Sequence, residues 1–132
     1  MIRLALWGKN PTEKDRTMEY NIPFDFNDGK GSVPAHRHIN PDGSEGGWVA
    51  NSARVGSSCY IGRDALVFGN AIVSGKAIVS GKAYVFGNAW VYGSASVFGN
   101  ASVYDYASVY GKAHVSGSAW VFGNAWVFGN AH

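Results

Sequence analysis

From Val49 onward the apolar positions recur every six residues, with Val or Ile at 49, 55, 61, 67, 73, 79, 85, 91, 97, 103, 109, 115, 121 and 127. Ala stands four residues after each, replaced once by Cys59, and Gly two residues after from Gly69 on, replaced once by Asp105. The unit Val-x-Gly-x-Ala-x therefore runs through fourteen hexapeptides to residue 132. Self-similarity at a fixed short period signals a stacked repeat. In Ala-x-Val the outer two residues share one face of an extended strand and the middle one takes the other. The pattern predicts inward Ala and Val and strands of about three residues. Each strand ends at a corner where pairs such as Gly87-Asn88 or Gly123-Asn124 tolerate tight-turn angles.

One hexapeptide cannot bury its apolar face, so the repeats must stack, each coil pairing with the next through parallel hydrogen bonds about 4.8 Å apart. The array resembles the bacterial transferase hexapeptide superfamily. That resemblance covers residues 49–132 and implies an all-β chain, a left-handed parallel β-helix with three hexapeptides per triangular coil, hence about 4.7 coils. A flattened coil of two hexapeptides and a right-handed β-helix are the alternatives. Gly46-Gly47-Trp48-Val49 leading into a Gly-Asn-Ala-x-Val-x array is also similar to short members of that group found in bacteriophages and bacteria.

In coils of eighteen, outward residues align in columns. One face stacks Trp48, Leu66, Tyr84, Ser102 and Trp120 beside Ala50, Phe68, Phe86, Tyr104 and Phe122. The second stacks Arg54, Ile72, Trp90, Ser108 and Trp126 beside Gly56, Ser74, Tyr92, Tyr110 and Phe128. The third, milder, stacks Tyr60, Ile78, Ser96 and His114 beside Gly62, Ser80, Phe98 and Ser116. Corners carry Asn70, Asn88 and Asn124, interrupted by Tyr106, whose Asp105-Tyr106 pair alone breaks the Gly rule after Gly69. Aromatic ladders stabilise a solenoid by stacking. Wide exposed apolar patches also mark interaction sites. Candidate binding residues are therefore Trp90, Tyr92, Tyr110, Trp126, Phe128, Phe86, Tyr104, Trp120, Phe122 and Tyr106.

Residues 1–47 lack the period and read as a cap preceding the repeat domain at 48–132. Solenoid ends expose unpaired strand edges that must be covered. Ile2–Trp7 and Met18–Phe24 are expected as covering strands, Thr12–Asp15 as a helix start, and Phe26–Trp48, rich in Gly, Asn, Asp and Ser, as a loop. Within it His36-Arg37-His38, with Asp42 and Glu45 nearby, is the one dense cluster of catalytic residue types, but its spacing matches no metal motif. These histidines are expected to pack on the first coil, and no metal or cofactor is expected.

Charge narrows the function classes. Only 15% of residues are charged and the net charge is +2, too little for a phosphate-backbone binder, so nucleic acid is not an expected partner. The single cysteine, Cys59, replaces an inward Ala and is expected to be a buried hydrophobe. No apolar run approaches the roughly 20 residues of a membrane span, and the first residues are too weakly apolar for a signal peptide, so a cytoplasmic protein is expected, in the host cell if phage-encoded. Enzymes of the superfamily bind an acyl-CoA between subunits of a trimer and use a histidine as base. By that resemblance His114, His36 and His38 would be the catalytic candidates, yet the array has no inserted loop to wall an acceptor pocket. Ice binding, which resembles a Thr-x-Thr array, falls because Thr12 and Thr17 are the only threonines. The expected function is a non-enzymatic protein-binding or scaffold β-helix that self-associates through its aromatic faces or C-terminal coil. The phage-like resemblance points to an inhibitor of a host or bacterial defence protein. A trimeric acyltransferase and a carbohydrate-binding module are the alternatives.

Overall fold

The structure, a computed structural model, describes residues 22–129. All its regular elements are strands. A hairpin of β1 (Ile22–Asp25) and β2 (Ser32–Ile39) precedes β3 (Glu45–Ala50). Thirteen two-residue strands follow at six-residue intervals, from β4 (Arg54–Val55), β5 (Tyr60–Ile61) and β6 (Leu66–Val67) through β14 (His114–Val115) and β15 (Trp120–Val121) to β16 (Trp126–Val127). From β3 on, three sheets collect every third strand in parallel, and the partners are eighteen residues apart: Leu66 beside Tyr84, Ile72 beside Trp90, Ile78 beside Ser96. The chain is a parallel β-helix with a three-sided coil, as the repeat predicts.

Hydrogen bonds tie each coil to the next. Trp90 N–H donates to Ala107 O at 3.0 Å, Tyr92 N–H to Val109 O at 2.9 Å, and Ser94 N–H to Gly111 O at 2.7 Å. The strands are one residue shorter than expected because Ala joins the ladder with its carbonyl alone. Its N–H turns back across the corner, as Ala89 does to Phe86 O at 3.3 Å. Inside, the valines from Val67 to Val109 and the alanines from Ala65 to Ala113 are fully buried, and Cys59 joins them. Each such valine contributes about 1.5–3 kcal/mol relative to exposure. The corners impose their own rule. Gly81 has φ 64°, and a Cβ there would stand 2.8 Å from Gly99 O, so both conformation and crowding select glycine. Asp105 takes the same conformation at φ 60°, and its carboxylate accepts from Gly123 N–H at 3.1 Å.

The segment 26–48 is not the expected loop. β2 and β3 pair antiparallel inside it, with a register shift between Arg37 and Ile39. Two short turns rich in Gly, Asn, Asp and Ser, around Asp28 and Pro41, raise the polar average of the stretch and hide the strands between them. Of the expected strand at 18–24 only Ile22 onward is described; Ile2–Trp7, Thr12–Asp15 and residues 18–21 lie outside the described residues. The hairpin does more than close an edge. Phe24 stacks on Trp48 at 4.7 Å and Phe26 on Phe68 at 4.9 Å, so Phe68 and Ala50, expected on the outer wall, are buried under it.

Candidate functional site: the aromatic faces

Each face carries two outward columns, and they behave differently. In the column that follows the inward valines the rings stack along the rod. On the first face Phe68, Phe86, Tyr104 and Phe122 lie 4.8, 5.0 and 5.5 Å apart with planes within 12° of parallel. On the second face Tyr92, Tyr110 and Phe128 follow at 4.9 and 5.2 Å. These spacings stay close to one coil rise of about 4.8 Å, so the backbone itself sets the ladder and each pair adds roughly 0.5–1.5 kcal/mol.

The column at the strand centres does not stack. Trp90 meets Tyr92 edge-on, at 75° and 6.1 Å, and Tyr84 meets Phe68 at 70°. Among the described residues no ring covers an indole face of Trp90, Trp120 or Trp126, and these three are 50%, 67% and 68% exposed. Phe122 and Phe128 are also exposed, and Tyr106 projects from its corner at 65%. Phe86, Tyr92, Tyr104 and Tyr110 are half-buried by their ladder neighbours. The expected binding residues thus divide into a supporting ladder and a set of presented rings.

Ser96, Ser102 and Ser108 occupy three successive strand centres, one complete turn of small side chains. On the second face Ser108 pairs directly with both Trp90 and Trp126; on the first, Ser102 pairs with Tyr84 and Trp120. The Asp105-Tyr106 corner lies in the same turn.

The histidines do not gather. His36 Nδ1 bonds Asn51 Oδ1 at 2.8 Å, and His38, buried, donates from Nε2 to Cys59 O at 2.8 Å. Loss of hydration holds both imidazoles below the usual histidine range, against the opposing pull of those hydrogen bonds. Arg37 donates to Gly46 O at 2.9 Å and covers Trp48 at 5.1 Å. Asp42 accepts from Ser44 Oγ and N–H, which lowers its carboxyl, while Glu45 stands 3.8 Å from Arg63. Among the described residues no three His, Cys, Asp or Glu groups lie together. His114 sits on the third face, edge-on to Phe98 at 71°, in a different sheet from β2.

Sequence reasoning expected His38 to pack on the first coil but missed what it does there. β5 is the last strand of its sheet on the N-terminal side. His38 serves the carbonyl just before it, and the Asn40 carboxamide serves both polar groups of Ile61, accepting from N–H at 2.8 Å and donating to O at 3.2 Å. Two side chains thus replace a missing coil. An open groove beside this cap is lined by His36, His38, Asn51, Arg54, Val55 and Ile72.

No helix among the described residues is long and apolar enough to cross a membrane. Comparison of the chain with models of known protein families, with curated proteins and with solved structures finds no match in any of the three.

Proposed function

We propose that this protein is a non-enzymatic binding scaffold, a rigid prism that presents aromatic rings to a protein partner and to copies of itself. One observation carries the reading: Trp90, Trp120 and Trp126 expose half or more of their surface on two adjacent faces of a rod whose Val and Ala core contains none of them. Large rigid rings lose little entropy on docking and supply hot spots. The eighteen-residue coil supports a place in the hexapeptide-repeat group, and the phage-like resemblance makes an inhibitor of a defence protein the specific form of this reading.

The acyltransferase alternative gains no support from the side chains, since His36 and His38 are committed to the cap and His114 lies in another sheet. Replacing Trp90 and Trp126 together by Ala tests the scaffold. The circular dichroism and melting of the β-helix should persist while light scattering shows a lower mass and capture of partner is lost. Unchanged mass and unchanged capture would refute the proposal.

A further inference from the structure

The geometry points to a second use of the second face: we propose that Trp90 and Trp126, with Ser108 between them, form a binding site for an extended, neutral oligosaccharide of β-1,4-linked pyranoses. The inference stands on the spacing and chemistry of this column and does not need the scaffold reading.

Register places Ser108 directly between the two tryptophans, so their Cα positions are two coils, about 9.6 Å, apart along one hydrogen-bonded sheet. Both indoles are outward, exposed and unstacked among the described residues, whereas in the neighbouring column Tyr110 is stacked between Tyr92 and Phe128. A pyranose offers an apolar C–H face that lies against an indole. An equatorially linked chain is a flat ribbon, so sugars one unit apart from a common neighbour meet two platforms held in line. The sugar between them passes over Ser108, whose small side chain leaves it room and whose hydroxyl both donates and accepts.

The charge pattern selects against the other flat ligands. Phosphate chains need clustered cations, but the strand-centre column of this face holds only Arg54, two coils below Trp90, and the corner beside it holds Lys76 and Lys112 two coils apart rather than clustered. A ribbon of hydroxyls needs groups that donate and accept without net charge, and Ser108, Tyr92 and Tyr110 supply them. The first face repeats the arrangement with Tyr84, Ser102 and Trp120, which gives a weaker second site.

Calorimetric titration of the full chain with cellohexaose, β-1,4-mannohexaose, maltohexaose and glucose tests this. At least one β-1,4 hexamer should bind, with glucose and the coiled maltohexaose silent at the same concentration. Trp90→Ala and Trp126→Ala should each weaken binding about tenfold, with circular dichroism showing the β-helix retained. No heat with either β-1,4 hexamer, equal binding of maltohexaose, or full binding by Trp126→Ala would each overturn the proposal. Light scattering on the same samples separates the two readings. Loss of self-association in the double variant, with no hexamer bound by the parent chain, would make this face a protein interface only.

Discussion

At the scale of single residues, this fold is governed by which side chain tolerates which corner. Among the described residues Asp105 is the one non-glycine at a coil corner of positive φ, and its carboxylate offsets part of the conformational cost by accepting from Gly123 N–H. Asp and Asn visit this region, but β-branched residues do so only at a cost of about 1–3 kcal/mol. Asp105→Val should therefore lower stability by roughly 2 kcal/mol, and Asp105→Gly should stay near the parent, because relief of the backbone balances loss of the hydrogen bond. Urea unfolding of the pair checks this, and equal stability of the two variants would contradict it. Gly47 obeys a different constraint. A Cβ there would stand 1.9 Å from Ala65 O, so Gly47→Ala must push β3 off the coil beneath it. Its effect should exceed that of Gly43→Ala, where the space is open and only the backbone angle is strained, by about 2 kcal/mol on the same measurement.

Among the elements, the cap carries the pH dependence. His36 and His38 are neutral in the folded hairpin because burial disfavours their charged forms, and their folded pKa values lie below the usual value of about 6.5. The unfolded chain then binds more protons than the folded one once the pH drops below that value. Stability is full above about 6.5 and is lost as the pH falls from there toward the lowered folded values. Hydrogen exchange at Ile61, whose N–H is held by Asn40, should accelerate relative to Val91 when the pH is taken from 7.5 to 5, after correction for intrinsic rates. Replacing His38 with Gln should flatten that dependence. An unchanged ratio in the parent chain would show that the cap does not sense protonation. The two kinds of element were not equally legible in the sequence. The coil strands announce themselves because Val and Ala alternate with a fixed period, and from Ala65 to Ala113 every inward position repeats the same burial. The cap strands have no such redundancy. In β2 one alanine, Ala35, and one histidine, His38, are the buried positions, and His38 is held there by a carbonyl twenty-one residues away. Residue type alone carries no sign of that partner. The aromatic columns were read correctly from spacing because register in a coil of eighteen is arithmetic. The burial of Phe68 was not, because it depends on Phe26, whose contact lies outside the repeat.

For the whole molecule the decisive property is that fold and surface depend on different periods. The core repeats every six residues, so any number of hexapeptides satisfies it, and a quasi-one-dimensional stack loses only local contacts when one is removed. The faces repeat every eighteen, so columns survive only whole-coil changes. Deleting residues 93–98 should keep a cooperative β-helix but move everything beyond it round by one face. Trp126 then joins the first face while Trp90 stays on the second, and Tyr92 and Tyr110 no longer stack. Deleting residues 93–110 removes one coil and brings Trp126 beside Trp90 on the same face. Circular dichroism melts should show both shortened chains folded, each less stable than the parent. Self-association measured by light scattering should fall in the six-residue deletion and persist in the eighteen-residue one. If both deletions associate alike, recognition does not depend on aligned faces; if the six-residue deletion fails to fold, the core is not the interchangeable stack of Val and Ala that its burial describes.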